Sequence, residues 1–332
     1  MKRADAPRRA ACWLCCALCA ALLAGCAADA AQNAPASAQG KHKVMLVAKS
    51  VSTEFWKSVF AGADAAATEY NLDLNITGAA TEEDYAGQNE LVAKAVANGA
   101  EALVFSAIDY EANAAAIDAA ARAGVQVVAI DSGVHSGAVS AYIGTDNYAA
   151  GQMAARAALD SGYDRIVVGL VNYDVNSANG QERERAVRDT LAGDGRVTIA
   201  AAINTLALAA NARADTAAML AAYPEINTLI AFNEPTAVGA ARAVRERGLG
   251  GATWLVGFDS NVETIDKLQT GEVDALIVQN PYAMGYLGVE SAYKLLSGQK
   301  NALPATLDTA TTTVERENMF TVDSQKALFA FE

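Results

Sequence analysis

Short apolar runs alternate with longer Ala- and Glu-rich stretches along most of the chain. Runs of strand length fall at 43–49, 72–77, 102–106, 125–131 and 141–145, and again at 165–171, 197–203, 228–232, 253–258 and 275–279. Most are continuous, as in Val44-Met45-Leu46-Val47 and Ile166-Val167-Val168-Gly169-Leu170-Val171, without polar alternation. Strands buried on both faces read this way, which predicts parallel sheets covered by helices. Stretches of helical length lie between them, at 55–70, 84–98, 111–123, 148–161, 181–192 and 236–247. Gly99, Gly124, Gly162 and Gly248 follow such stretches, where a left-handed residue ends a helix. Strand–helix–strand repetition of this kind predicts an α/β protein with open, doubly wound sheets.

The ladder runs twice. Its break falls near Gly144-Thr145-Asp146-Asn147, where a strand leads into a helix capped by Asp146 or Asn147. Each half carries enough strands for its own sheet. The second half returns at Gln279-Asn280-Pro281 into a helix over 282–297, and 309–314 reads as a last crossing. The expected fold is two doubly wound parallel-sheet lobes joined by a three-strand hinge. The N-terminal lobe is expected at 43–145 plus 280–308, and the C-terminal lobe at 146–279 plus 309–332.

The beginning of the chain differs in composition. Lys2, Arg3, Arg8 and Arg9 precede an apolar stretch over 10–23, which ends in Leu23-Ala24-Gly25-Cys26. This order predicts a lipoprotein signal peptide over 1–25, with lipid carried on the Cys26 thiol. Residues 26–42 are rich in Ala, Gln, Asn, Pro and Ser and read as a flexible tether, to which His42 is assigned. The expected location is therefore outside the cytoplasm, anchored at the cell membrane. No cysteine follows Cys26, which excludes a disulfide framework, a thiolate metal site and a cysteine nucleophile. Lys and Arg total 25 against 38 Asp and Glu, a net charge of −13. That balance argues against nucleic acid as a partner, because phosphates need basic residues to neutralise them. No later stretch has the length and apolarity of a membrane-spanning helix.

Ligands of open parallel sheets sit beyond the carboxyl ends of the strands. In the first half those positions hold Lys49, Ser50, Thr53, Glu54, Phe55 and Trp56, then Ser106 and Asp109, then Asp131 and Ser132. In the second half they hold Asn172 and Tyr173, Asn233 and Glu234, Phe258 and Asp259, and Gln279. Carboxylates and amides accept from hydroxyls, amides donate back, and aromatic rings cover the apolar face of a sugar ring. The set suits a small polyhydroxylated ligand. Asp or Asn after a strand is also a common turn or cap residue, so each position carries little alone. Phe55 and Trp56 are adjacent and diverge on a helix, which predicts one in the lobe and the other in the cleft.

At these residues the chain resembles the type I periplasmic sugar-binding proteins, the ribose-, galactose- and allose-binding group of ABC importers. The resemblance runs from Lys43 to about Val314. It rests on Phe55-Trp56, Ile130-Asp131, Ile143-Gly144-Thr145-Asp146-Asn147, Glu182-Arg183, Phe232-Asn233-Glu234, Val256-Gly257-Phe258-Asp259 and Gln279. It implies a two-lobed clamp around a pentose or hexose. Phe55 and Trp56 would flank the ring, and Asp131, Arg183, Asn233, Asp259 and Gln279 would bind hydroxyls. Ser106 stands where the ribose binders carry an asparagine. Arg183 could bridge two vicinal oxygens with its fork, or be a surface residue of the Glu182-Arg183-Glu184-Arg185 run; Arg185 is expected in solvent. The chain departs from the ribose pattern at Ser132, where an arginine is usual, and at Lys49 and Glu54. Lys49 either replaces the missing positive charge, pairs with Glu54, or points to solvent.

The resemblance implies a binding protein that captures a sugar or polyol and delivers it to an ABC permease. The permease is driven by a separate ATPase, because this chain has no Gly-x-x-x-x-Gly-Lys-Ser/Thr loop. A monomer with no cofactor and no metal is expected, since the calcium loop of the galactose subgroup is missing. The alternative is a sensor that presents its closed form to a chemoreceptor or sensor kinase. Asp131, Ser132 and His135 are hydrolase residue types, but no Gly-x-Ser-x-Gly turn or His-Glu-x-x-His helix accompanies them, so an enzyme is not expected. A repressor of the same fold would need a helix-turn-helix, and residues 1–42 offer none.

Overall fold

The computed structural model describes residues 40–329. The signal segment, Cys26 and the tether up to residue 39 lie outside the described residues. Two six-stranded sheets organise the rest. The first holds β1 (Lys43–Ala48), β2 (Asp73–Gly78), β3 (Ala102–Phe105), β4 (Gln126–Ile130), β5 (Val139–Gly144) and β11 (Thr306–Asp308), in the order β11-β5-β4-β3-β1-β2. The second holds β6 (Ile166–Asn172), β7 (Val197–Asn204), β8 (Thr228–Ala231), β9 (Trp254–Phe258), β10 (Ala275–Val278) and β12 (Thr312–Glu315), in the order β12-β10-β9-β8-β6-β7. The two orders match position for position, so each lobe repeats the other's winding. Every pairing is parallel except β10 with β12, which is antiparallel.

The helices are α1 (Glu54–Glu69), α2 (Tyr85–Ala97), α3 (Ala114–Arg122), α4 (Asn147–Leu159), α5 (Ala178–Leu191), α6 (Ala209–Ala222), α7 (Glu234–Glu246), α8 (Val262–Thr270), α9 (Pro281–Leu296) and α10 (Val322–Leu328). Several of them are capped by side chains, which fixes where each of these begins. Thr53 accepts from the Trp56 amide at α1, and Asp146 from the Ala149 amide at α4. Asn233 with Thr236 and Asn261 with Thr264 form reciprocal caps at α7 and α8.

The chain passes between the sheets after β5, after β10 and between β11 and β12. The second passage brings α9 back onto the first lobe, against α1. Glycines allow the close approach: a Cβ at Gly285 would lie 1.9 Å from the Val59 carbonyl oxygen, and one at Gly62 would lie 2.1 Å from that of Tyr282. Central strands are apolar on both faces. Val44, Leu46, Val104 and Ile130 join Val289 in the first core, while Val168, Leu170, Ile230 and Val256 lie in the second.

Some expectations change. The last crossing falls at 309–311, within the expected run, but an edge strand not expected, β11, exposed throughout, precedes it, and β12 starts at Thr312. The helix expected at 111–123 starts at Ala114, and the one expected at 181–192 starts at Ala178. His42 is tied into the fold, with its carbonyl accepting from the Asp73 amide at 2.9 Å and Nδ1 lying 2.8 Å from Glu101 Oε2.

Candidate functional site

The strand ends of both sheets face one cleft, and the two lobes place matching aspartates there. Asp131 follows β4, and Asp259 follows β9, the strand in the corresponding position of the other sheet. Both have left-handed backbones, with φ of 58° and 65°. For an L-residue this costs on the order of 1 kcal/mol, least for Asn and Asp. Each remains bonded to the neighbouring strand, since the Asp131 amide donates to Ile143 O at 3.0 Å and the Asp259 amide to Ile277 O at 2.9 Å. The ladder thus continues while the turn sets the carboxylate at the sheet's end.

Around Asp131, Ser106 Oγ donates to Oδ2 at 2.8 Å and Asn179 Nδ2 to Oδ1 at 3.1 Å. Lys49 Nζ lies 3.8 Å from Oδ2. It donates to Ser177 Oγ at 2.7 Å and to Asn179 Oδ1 at 3.2 Å, both in the second lobe. Lys49 is buried, so it neither reaches solvent nor pairs with Glu54, whose partner is Lys57 at 2.6 Å. Of the alternatives for Lys49, a cation beside Asp131 is the one observed.

Around Asp259, Gln279 Nε2 donates to Oδ1 at 2.6 Å and the Glu234 amide to Oδ2 at 2.9 Å. Burial pushes the Asp259 carboxyl up to about 6, against the pull of Arg183 and the Gln279 hydrogen bond. Arg183 is 1% exposed and is no surface residue. Nε donates to Asn147 Oδ1 at 2.9 Å, Nη1 to Phe232 O at 2.8 Å and Nη2 to Gln279 Oε1 at 2.7 Å. Its guanidinium carbon sits 4.5 Å from the centre of the Phe258 ring. Arg185 is exposed and pairs with Glu182, as expected of a solvated neighbour. Asn233 uses its oxygen to cap α7, and among the described residues nothing accepts from its Nδ2.

Phe55 and Trp56 both border the cleft, rather than dividing cleanly between cleft and core. Trp56 is buried against the first core, and its indole nitrogen donates to Glu82 Oε1 at 2.8 Å. Phe55 is partly exposed, and its amide donates across the cleft to Glu234 Oε2 at 2.9 Å. Further bonds join the lobes, from the Tyr110 amide to Asn176 O at 2.9 Å and from the Ala207 amide to Glu83 Oε1 at 2.7 Å.

Lys49, Phe55, Trp56, Asp131, Arg183, Asn233, Asp259 and Gln279 all line this cleft, where the space among the side chains is about 20 Å³. A cavity of about 260 Å³ adjoins it and shares Phe55, Asp259 and Gln279. Ser106 does not line the cleft; it lies fully buried behind Asp131. Glu82 and Asn179 do line it and were not singled out in the sequence. Glu82 lies in the loop after the polar edge strand β2, within Thr81-Glu82-Glu83-Asp84, which reads as an ordinary charged loop. Asn179 lies in the first turn of α5, where only the fold reveals it. Burial raises the Glu82 carboxyl to about 7, with Lys49 and the Trp56 hydrogen bond opposing and Asp131 and Glu83 adding.

His135 pairs with exposed Glu111 and stacks on Tyr110, while the buried Ser132 hydroxyl has no hydrogen-bond partner among the described residues. They form no base–nucleophile pair. Among the described residues no group of His, Cys, Asp or Glu is arranged to hold a metal, and no helix is long and apolar enough to cross a membrane.

The periplasmic binding protein domain matches residues 44–300. The D-ribose/D-allose-binding protein of Pseudomonas aeruginosa is 28% identical over 273 residues, covering 80% of this chain and 85% of that protein. A carbohydrate transporter solute binding protein from Agrobacterium radiobacter, solved in complex with D-arabinose, has a TM-score of 0.84 at 26% identity, covering 88% of this chain and 100% of that one. An ABC transporter solute binding protein from Agrobacterium vitis with bound D-fucose has a TM-score of 0.83 at 29% identity, covering 86% and 99%. With two matching α/β lobes, facing strand-end aspartates and a domain match across most of its length, the chain belongs to the periplasmic binding protein domain family, in the type I sugar-binding group, whose members bind rather than transform.

Proposed function

We propose that this chain is a lipid-anchored, extracytoplasmic solute-binding protein that captures a small sugar between its lobes and delivers it to an ABC permease with a separate ATPase. The observation that carries the reading is the pair of left-handed aspartates, Asp131 and Asp259, at matching strand ends of one cleft. Two carboxylates contributed by opposite lobes can each accept from ring hydroxyls. The Asn233 amide can donate back, and Phe55 and Trp56 supply apolar surface for the C–H faces. The D-arabinose and D-fucose bound by related proteins fall in this ligand class.

A sugar touching both lobes favours closure through contacts made only when the lobes meet. Closure removes water, so an analogue lacking one hydroxyl strands a protein group at about 1–3 kcal/mol. This is the source of selectivity. Lipid on Cys26 would hold the clamp beside its permease and raise its effective concentration there.

A thermal-shift screen over pentoses, hexoses and polyols tests the reading, because a ligand of the native state raises its melting temperature. Calorimetry on Asp131→Ala and Asp259→Ala then locates the site. A shift with at least one sugar, and loss of affinity in both variants, is expected. No shift across the screen, or unchanged affinity in both variants, refutes it. Release of the protein from the membrane fraction by Cys26→Ser tests the anchor.

A further inference from the structure

Glu82 has no counterpart among the residues that the family resemblance singles out. It sits in the loop after β2 and lines the cleft beside Lys49, Trp56 and Asp131. Trp56 Nε1 holds its Oε1 at 2.8 Å, and among the described residues no group donates to Oε2. This is a carboxylate fixed in place by one oxygen, with the other available to a ligand. It also deepens the negative charge of the cleft: Glu82, Asp131, Glu234 and Asp259 line it against Lys49 and Arg183. Both cations are already engaged. Lys49 bonds Ser177 and Asn179 beside Asp131, and Arg183 bonds Asn147, Phe232 O and Gln279. An anionic ring substituent would enter a cleft with surplus negative charge and no idle cation, whereas an amine or hydroxyl would find a waiting acceptor.

We propose that Glu82 is a specificity-determining residue of the cleft, which accepts from a donor on the bound sugar and selects neutral or amine-bearing sugars over sugar acids. This rests on the cleft being a sugar site. The charged and titratable groups facing Glu82 are Lys49 at the end of β1, Asp131 after β4 and Glu83 in its own loop, with the Trp56 indole from α1 and Tyr173 across the cleft. Burial places its titration near 7, so the discrimination has a pH signature.

The test is calorimetry of wild type and Glu82→Gln with D-ribose, D-allose, D-glucose and D-galactose, and with the 2-amino-2-deoxy and uronic acid forms of glucose and galactose. The amide oxygen introduced by Glu82→Gln still accepts from the Trp56 indole, so the fold is retained; Glu82→Asp, which keeps the charge, serves as a second variant. In wild type the amino sugar binds better than the matching uronate. In Glu82→Gln that gap shrinks about tenfold or more, and Glu82→Asp keeps most of it. Uronate affinity relative to the neutral sugar also falls as pH rises through about 7 in wild type, and this step is smaller in Glu82→Gln, where Asp259, raised to about 6, is the carboxyl of the cleft that still titrates nearby. Sugars binding with the same gap in wild type and Glu82→Gln would overturn this inference and leave the sugar site standing. Failure of every probe here and of every sugar in the thermal-shift screen would overturn the sugar site itself, and the role of Glu82 with it.

Discussion

Replacing Arg183 by Met tests how the cleft is held. The side chain is 1% exposed, and its hydrogen bonds run to Asn147 on α4, to the carbonyl of Phe232 after β8 and to Gln279 after β10. Methionine fills most of the volume and makes none of them. Gln279 Oε1 keeps a donor in Thr145 Oγ1 at 2.8 Å. Asn147 Oδ1 and Phe232 O lose theirs, at about 1–3 kcal/mol for each stranded acceptor. The cation over Phe258 adds about 1–2 kcal/mol in a desolvated setting. Relief of the buried positive charge offsets part of this, so the net loss is about 2–5 kcal/mol. Arg183→Lys keeps the charge as a point donor that cannot span diverging acceptors, and recovers less than half of the loss. The assay is urea denaturation, with the change read from the midpoint at constant slope. Sugar affinity should fall in both variants. A midpoint change worth under about 0.5 kcal/mol in Arg183→Met, the scale of an ordinary surface substitution, would refute this role of the Arg183 hydrogen bonds.

Other outcomes follow from the same geometry. Trp56→Ala opens a core cavity at about 3–5 kcal/mol and strips Glu82 of its donor, whereas Trp56→Phe costs about 1–3 kcal/mol; unfolding curves that fail to separate them would contradict the placement of Trp56. Gly285→Ala should cost about 1–3 kcal/mol or more in melting experiments, because its Cβ meets a backbone oxygen of α1 that cannot yield without moving the helix. Glu82, raised from 4.5 to about 7, binds its proton more tightly folded than unfolded, so its contribution to stability falls as pH rises across that window. Glu82→Gln should therefore match wild type near pH 4.5 and exceed it by about 1–3 kcal/mol above pH 7 in urea titrations, the lower part of the range reflecting solvent screening of a half-buried group; a pH-independent difference would contradict its placement in the cleft.

The central strands were legible because their surroundings demand it. A strand such as β6, buried at every position, needs an unbroken apolar run, and that run stands in the sequence. Edge strands lack the constraint. β11 is exposed throughout, so Thr306-Leu307-Asp308 carries no burial pattern to read. At the site, the strand-end rule reached Asp131, Asn233, Asp259 and Gln279, since chain order alone brings them to the cleft. It did not reveal that both aspartates turn left-handed, because Asp tolerates that conformation without a glycine to announce it. Lys49 was found as a departure, but its bonds to Ser177 and Asn179 depend on the opposite lobe. Glu82 was missed because a carboxylate in a charged loop looks solvated until the fold half-buries it beside Trp56.

The claim that one sugar is gripped by strand-end side chains of both lobes is tested most directly by a crystal structure of the protein with the sugar that raises its melting temperature most. Sugar density is expected within hydrogen-bond reach of Asp131 on one side and of Asn233 and Asp259 on the other. A sugar bound to a single lobe, or outside the cleft altogether, would contradict it.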